Sequence, residues 1–86
     1  MIDDSIIEIQ IRDGEEFIRL GQALKLSGAV GSGVEAKIVI TEGEVSVNGE
    51  TETRRGKKLH AGDEIRYDGQ TIRVTDGNGM YDPGVP

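Results

Sequence analysis

Four cationic side chains lie close together in the middle of the chain, in the stretch TRRGKK: Arg54, Arg55, Lys57 and Lys58. A guanidinium group binds two oxygens of one phosphate at once, whereas an ammonium group supplies a compact point charge. Two arginines followed by two lysines therefore suit the phosphate backbone of a nucleic acid. The plainer alternative is a solvated stretch of surface, which is what most charge runs are.

Further cations lie on two segments predicted to be helical. Lys37 comes early in the second helix, near an N-terminus that itself favours anions. Arg19, Gln22 and Lys25 are spaced three apart along the first helix, so we expect them to form a row on its surface. Together with the TRRGKK loop, these residues predict one local basic patch.

The aromatic residues decide which kind of nucleic acid such a patch would suit. The chain has only Phe17, Tyr67 and Tyr81. Proteins that bind single strands without sequence preference stack successive bases on aromatic rings. With so few rings, recognition of the backbone and shape of structured RNA is favoured.

Residues that could support catalysis are scarce. Nucleophilic catalysis needs a positioned nucleophile and a base, and His60 is the only histidine. Within KKLHAGD it is more typical of a strand or turn. Glu42, Glu44, Glu50 and Glu52 surround a tight turn without an apolar pocket to raise a carboxyl pKa, so we interpret them as a solvated rim. The sequence predicts no enzyme.

Cofactor and metal motifs are incomplete. The stretch GAVGSGVEAK lacks the Gly-Lys-Ser/Thr ending of a nucleotide-binding loop, and its glycines fit close helix packing better. The stretch DGNGMYD resembles the start of a calcium loop, but the bidentate Glu that would close the loop is missing. We expect neither a cofactor nor a metal.

Charge and composition limit the remaining classes. The 86 residues carry a formal net charge of −6, and residues 1–16 hold six acids against Arg12 alone. An acidic chain argues against a general polyanion binder but not against one local patch. The absence of cysteine, of a signal peptide and of an apolar run of about 20 residues favours a soluble, cytoplasmic protein that binds no membrane.

Apolar periodicity predicts a strand followed by two helices. Ile7, Ile9 and Ile11 alternate with polar residues, which is typical of a half-buried strand. The next apolar or small residues follow helical spacing: Phe17, Leu20, Gly21 and Leu24. Glu15 and Glu16 would lie near the N-terminus of this helix, and Gly28 would cap its C-terminus.

The second helix has its own start signal. Ser32 and Glu35 have the spacing of a capping box. An apolar stripe follows, and Gly43 is expected to end the helix: Ala36, Val39 and Ile40.

Short strands follow, with hairpin turns predicted at Asn48-Gly49 and Asp68-Gly69. The order predicts an α+β fold in which two packed helices lie against a small antiparallel sheet of short strands. We place a single domain at residues 1–75 and a flexible, glycine- and proline-rich tail at residues 76–86.

Three stretches of the chain together resemble the alpha-L RNA-binding motif, also called the "S-four" domain, and above all its small stand-alone bacterial members. In order, they are FIRLGQALKLSG, SGVEAKIVITEGEVSVNGETETRRGKKL and GDEI. The resemblance covers about residues 17–74. Many members carry Asp where Gly21 stands and Arg where Gly33 stands, although Ser-Gly is usual in the stand-alone branch.

The resemblance implies a non-catalytic module that binds structured RNA, either ribosomal or transfer RNA. We expect a monomer that associates with the ribosome or its assembly proteins. Carried over by position, seven residues would contact the RNA: Arg19, Lys25, Lys37, Arg54, Arg55, Lys57 and Lys58. The alternative from a different class is a protein-interaction module whose basic patch docks on an acidic partner surface.

Overall fold

The computed structural model describes residues 6–76, in which two helices lie among seven strands. In chain order these are β1 (Ile6–Ile11), β2 (Ile18–Arg19), α1 (Leu20–Leu26), α2 (Gly33–Thr41), β3 (Ser46–Val47), β4 (Glu50–Thr51), β5 (Lys58–Leu59), β6 (Glu64–Tyr67) and β7 (Gln70–Asp76). Asp76, predicted to begin the tail, is the last residue of β7. The rest of that predicted tail lies outside the described residues. Neither helix of residues 6–76 is long and apolar enough to cross a bilayer.

The strands form a mixed sheet rather than the purely antiparallel one that we predicted. Five strands lie in the order β1-β7-β6-β3-β4, while β2 and β5 pair separately. The pair β1–β7 is parallel, with Ile9 opposite Val74, and the other pairs are antiparallel. A parallel pair needs a long connection, and here everything between β1 and β7 provides it. The antiparallel prediction was therefore correct for the hairpins and wrong for β1.

The first helix begins later than its periodicity predicted. Phe17 precedes α1, and Ile18 and Arg19 are extended because they pair with Leu59 and Lys58 of β5. Tertiary strand pairing thus overrides the local helical pattern. The first turn of α1 consequently contains no acidic residue.

The other predicted helix boundaries are confirmed. Gly28 follows the end of α1 with φ of +83°, and Gly43 follows α2 with φ of +80°, the left-handed conformation typical of helix ends. Ser32 caps α2, since its hydroxyl accepts from the Glu35 backbone N–H at 3.1 Å. The Glu35 carboxylate departs from the usual capping box because it accepts from the Gly31 N–H at 2.9 Å, outside the helix.

One apolar core joins the helices to the sheet. Several of its side chains are completely inaccessible to solvent: Leu20, Leu24, Ala36, Ile40, Leu59, Ile65, Ile72 and Val74. Ile9 and Ile11 of β1 belong to the same cluster, with Ile7 packed against it, as the alternation in the sequence predicted. Because α1 and α2 both contribute completely buried residues, their positions relative to each other are fixed by this core.

Both predicted hairpin turns are present. Asn48 and Gly49 have φ of 51° and 91°, and Asp68 and Gly69 have 53° and 79°. Asn48 also joins its turn to the next segment, because its Nδ2 donates to Asp63 Oδ1 at 3.0 Å and its Oδ1 accepts from the Glu64 N–H at 2.9 Å. This side chain therefore holds the start of β6 beside β3.

These bonds make Asn48 more important for stability than its exposure indicates. We expect Asn48→Ala to lower the free energy of unfolding by about 2 kcal/mol, from left-handed strain and two lost hydrogen bonds. The matched control Asp68→Ala has the same backbone conformation and no hydrogen bond from its side chain among the described residues, so it should cost only about 1 kcal/mol. Urea unfolding measures both, and equal losses would contradict the bridging role.

Candidate RNA interface

The loop between β4 and β5, residues 52–57, carries three of the four clustered cations, and Lys58 follows it directly in β5; we call residues 52–58 the basic loop. Its backbone lies against the start of α1. The Leu20 N–H donates to the Lys57 carbonyl at 2.9 Å, and the Gly21 N–H donates to the Arg55 carbonyl at 3.0 Å. The first amides of a helix lack partners within the helix, and here the loop supplies them. The basic loop is thereby fixed beside the helix pair.

Gly21 permits this close approach. A Cβ atom at this position would lie 2.7 Å from Arg55 Cγ and 3.3 Å from Arg55 Cδ. A side chain here, such as the Asp found in many members of the family that the sequence resembles, would therefore push Arg55 away. The glycine allows the aliphatic part of Arg55 to lie directly on the helix.

Arg19 is held in place by two contacts. Its Nη1 donates to the Gly56 carbonyl at 3.2 Å, and its Cζ lies 5.3 Å from the centroid of the Phe17 ring. Lys58 Nζ lies 4.8 Å from the same centroid. A cation over an aromatic face is attracted by the ring quadrupole. Phe17 therefore orients two of the predicted RNA-contacting side chains.

A shallow depression lies where α1, α2 and the basic loop meet, and we call it the interhelical depression. It is lined by Arg19, Gly21, Gln22, Lys25, Gly33, Ala36, Arg55 and Gly56. Gly21 and Ala36 are buried beneath it, while Arg19, Lys25 and Arg55 are exposed at its rim. Arg19, Gln22 and Lys25 thus lie together as predicted, although Arg19 belongs to β2 rather than to the helix, and the structure adds Arg55 to them.

Lys37 lies beside this depression without lining it. It is exposed on α2, four residues after Gly33 and therefore one turn further along the same side of the helix. A ligand that extended beyond the depression along α2 would reach it.

The two lysines of the basic loop line a different surface, although the Lys58 ammonium also lies over the Phe17 ring. Lys57 and Lys58 line a second shallow depression together with neutral and acidic residues: Val47, Asn48, Glu50, Glu52, His60 and Asp63. Three carboxylates on this surface offset the two ammonium charges. Their spacing in the sequence had indicated one basic patch. In the structure, however, the four clustered cations do not form a uniform patch.

Arg54 is engaged by an ion pair within the loop. Its Nε and Nη2 donate to Glu52 Oε2 and Oε1 at 2.8 and 3.2 Å, and its backbone N–H donates to Oε2 at 3.0 Å. The Glu52 side chain is only 12% exposed, which corrects our interpretation of it as part of a solvated rim. The hydrogen bond from the Arg54 side chain is the main cause that lowers the pKa of Glu52 to about 2.

One cation near the depression was missed by the sequence analysis. Arg12 follows β1 and lines a neighbouring concavity with Gln22 and Lys25. In the sequence it belongs to the polar face of the first strand, and only the parallel placement of β1 brings its end close to α1. No local signal could have shown this.

Comparison with known proteins identifies the family. Residues 9–75 match the S4 domain. The chain belongs to the S4 domain family. The seven predicted contact residues all lie inside the matched range, although the match does not itself assign a role to any of them.

Two relatives are of similar size. The protein named "Probable ribosome maturation protein RlbA" from Bacillus subtilis (strain 168) is 48% identical over 54 residues, which are 63% of this chain and 76% of the relative. YbcJ from Escherichia coli (strain K12) is 42% identical over 57 residues, or 66% and 81% of the two chains.

A solved structure shares the fold. The solution structure of YbcJ from E. coli, described as revealing an alpha-L motif involved in RNA binding, superimposes with a TM-score of 0.60 at 33% identity. The match covers 87% of this chain and 91% of that one. The order of elements predicted for an alpha-L motif is therefore shared with a solved relative.

Metal ligands are not gathered anywhere in the described part of this S4 domain. Residues 6–76 contain no group of three or more histidine or acidic side chains that could hold an ion. The DGNGMYD stretch falls outside this range except for Asp76.

The ion pair between Glu52 and Arg54 predicts a pH-dependent stability. The pKa of Glu52 is lowered in the folded state, so its stabilising effect is complete above the ordinary value of 4.5 and is lost as the pH falls toward about 2. We expect Glu52→Gln to lower the free energy of unfolding by about 1 kcal/mol at pH 7, since Arg54 is largely exposed, and by much less at pH 3.

Urea unfolding at pH 7, 5 and 3 measures this difference. Glu50→Gln is the matched control, because Glu50 is exposed and has no ion pair among the described residues. A Glu52→Gln deficit that persisted unchanged at pH 3 would show that the ion pair is not its cause.

Proposed function

We propose that this S4 domain is a non-catalytic module that binds structured RNA, with Arg19, Lys25 and Arg55 as its principal phosphate contacts. The observation that carries the proposal is the convergence of these three exposed cations, from separate parts of the chain, on the rim of the interhelical depression. Charge-assisted hydrogen bonds from guanidinium and ammonium groups are what bind phosphate oxygens. Lys37, Arg54, Lys57 and Lys58 then act as secondary contacts.

The choice of RNA is supported by the relatives. The solution structure of YbcJ is described as revealing a motif involved in RNA binding, and RlbA is named for ribosome maturation. By analogy, the ligand of this chain is ribosomal RNA in a ribosomal subunit or its precursor in the cytoplasm, with transfer RNA as the other structured candidate.

The surface favours backbone recognition over stacking of a continuous single strand. The ring of Phe17 is in contact with Arg19 and with Lys58 of the basic loop. A strand that stacked successive bases would need several free rings along its path. Contacts to phosphates and ribose across a folded RNA need none.

A non-catalytic role is part of the proposal. The His60 ring makes an edge contact with Phe17, with ring centroids 6.3 Å apart, and its backbone N–H donates to Asp63 Oδ2 at 2.8 Å. These contacts are typical of a positioned turn residue. Among the described residues, no hydroxyl group makes a hydrogen bond with this ring, so the paired geometry of a nucleophile and its base is missing.

Because Arg54 is paired with Glu52, we expect Arg54 and Arg55 to contribute unequally to RNA affinity. We expect Arg55→Ala to weaken binding of a structured rRNA fragment about tenfold and to flatten the salt dependence by about one unit, because it removes a free phosphate contact. Arg54→Ala should weaken binding only about twofold, since Glu52 already neutralises that guanidinium. Glu52→Gln should strengthen binding by releasing it.

Fluorescence anisotropy at two salt concentrations, with the rRNA fragment and with purified ribosomal subunits, measures these effects. Arg66→Ala is the matched control, because Arg66 is exposed on β6 and has no ion pair among the described residues. Unchanged binding in both the Arg54 and Arg55 variants would exclude this surface as the interface. Absence of RNA binding at low salt would favour the docking of an acidic protein instead.

A further inference from the structure

We infer that the interhelical depression receives a single unpaired nucleotide, so that this domain prefers structured RNA with a bulged base over an uninterrupted duplex. The inference rests on the proposed function and specifies its ligand. It depends on the shape of the depression, on the side chains at its rim and on how firmly they are held.

The floor of the depression is made of residues that have little or no side chain. Gly21 and Ala36 are buried beneath it, with the aliphatic part of Arg55 lying over Gly21, and a Cβ atom built on Gly33 would meet nothing within 4 Å. The open space lies on the Gly33 side of the depression. The surface is therefore recessed between the cations. A regular duplex resting on the three cations would leave this recess uncovered, whereas a base displaced from its stack would enter it.

The rim supplies what an unpaired nucleotide needs. Guanidinium planes stack on bases in the way aromatic rings do, so the scarcity of aromatic residues is no obstacle. Arg19 and Arg55 both line the depression, and Lys25 supplies a further charge for the phosphate of the same nucleotide. One base between two arginines needs only a small recess, unlike a strand of stacked bases.

Arg19 is held before any ligand binds. Its hydrogen bond to the Gly56 carbonyl and its contact with Phe17 limit its rotamers. Arg55 is positioned by the hydrogen bond from the Gly21 N–H to its own carbonyl, with its aliphatic part lying on Gly21. A site whose side chains are already ordered loses less conformational entropy when it binds.

Gly33→Leu tests the inference because it fills the recess without an evident conflict in the fold. Gly33 is exposed at the first position of α2, needs no positive φ and has open space around its Cβ position. Gly31→Leu is the matched control. It is also exposed and without a positive φ, a Cβ there meets only Glu35 Oε1 at 3.6 Å, and it does not line the depression. Thermal unfolding checks that both variants fold.

The probes are two RNA hairpins with the same stem, one fully paired and one with a single unpaired adenosine, which is replaced by 2-aminopurine for fluorescence. We expect the unaltered domain to bind the bulged hairpin about tenfold more tightly and to change the 2-aminopurine emission. Gly33→Leu should reduce this ratio to about one and abolish the emission change, while its affinity for the paired hairpin stays within about twofold. Gly31→Leu should keep the preference.

Three results would overturn the inference. Equal, salt-sensitive binding of both hairpins by the unaltered domain would remove the bulge preference and leave the proposed RNA-binding function intact. A preference that survived in Gly33→Leu would place the recognition of the bulge elsewhere. Absence of binding to either hairpin and to the rRNA fragment at low salt would overturn the proposed function as well.

Discussion

The arrangement of the candidate site depends on two hydrogen bonds, from the Leu20 and Gly21 amides to the carbonyls of Lys57 and Arg55. The first amides of α1 need acceptors, and the short pairing of β2 with β5 places the basic loop where its carbonyls can serve. The same contacts join segments more than 30 residues apart in the sequence. A backbone requirement of one helix thus determines where the cationic side chains of a distant loop are presented.

This attachment separates the charges of the loop. Arg55 turns toward the helix pair, Lys57 and Lys58 face a surface with three carboxylates, and Arg54 is bound to Glu52. Four adjacent like charges in the sequence therefore become one guanidinium without an ion pair among residues 6–76, one neutralised guanidinium and two partly compensated ammonium groups. The same arrangement reduces the repulsion among the four cations. The ion pair of Arg54 with Glu52 favours folding but lowers the charge available to a ligand, whereas the position of Arg55 beside the helices is compatible with both folding and binding.

Some of the acidic residues act on a different part of the fold. Burial is the main cause that raises the pKa of the Tyr67 phenol, and the negative charges of Asp68, Glu44 and Glu35 raise it further. These three carboxylates are thus gathered around one tyrosine. Glu15 and Glu16, by contrast, line concavities next to the interhelical depression, together with Arg19 and Lys25 of its rim.

Features encoded locally could be predicted, and features that depend on distant contacts could not. The alternation in β1, the serine cap of α2 and the left-handed turn at Asn48-Gly49 depend on neighbouring residues, and each has a signature within a few residues of the sequence. The late start of α1 depends on β5. The parallel pairing of β1 depends on β7 and also brings Arg12 to the helix. Strand partners cannot be found from the periodicity of one segment, because the same alternation suits either direction.

The candidate site could likewise be predicted only where it depends on local spacing and not where it depends on distant contacts. Spacing placed Gln22 and Lys25 on one side of α1, since a helix brings residues three apart together. Arg19 reaches the same depression from β2, which the predicted helix did not include. The addition of Arg55 depends on Gly21, whose role is apparent only when the loop is seen lying on the helix. Glu52 and Arg54 are two residues apart, but their bidentate pairing requires the particular loop conformation between β4 and β5. Residue types were thus informative about chemistry, and the fold decided which of them act together.

The distance over which charges act decides whether a chain with a net charge of −6 can attract RNA. At physiological salt the Debye length is about 8 Å, so a phosphate at the depression is influenced mainly by charges on its rim. Acids beyond that distance slow the approach of RNA more than they weaken the bound state, and they oppose loose, non-specific association. Three cations that have no ion pair within the described part of the chain would then supply affinity at short range around a recess, where shape matters. The RNA binding that we propose would therefore favour one particular RNA site over RNA in general.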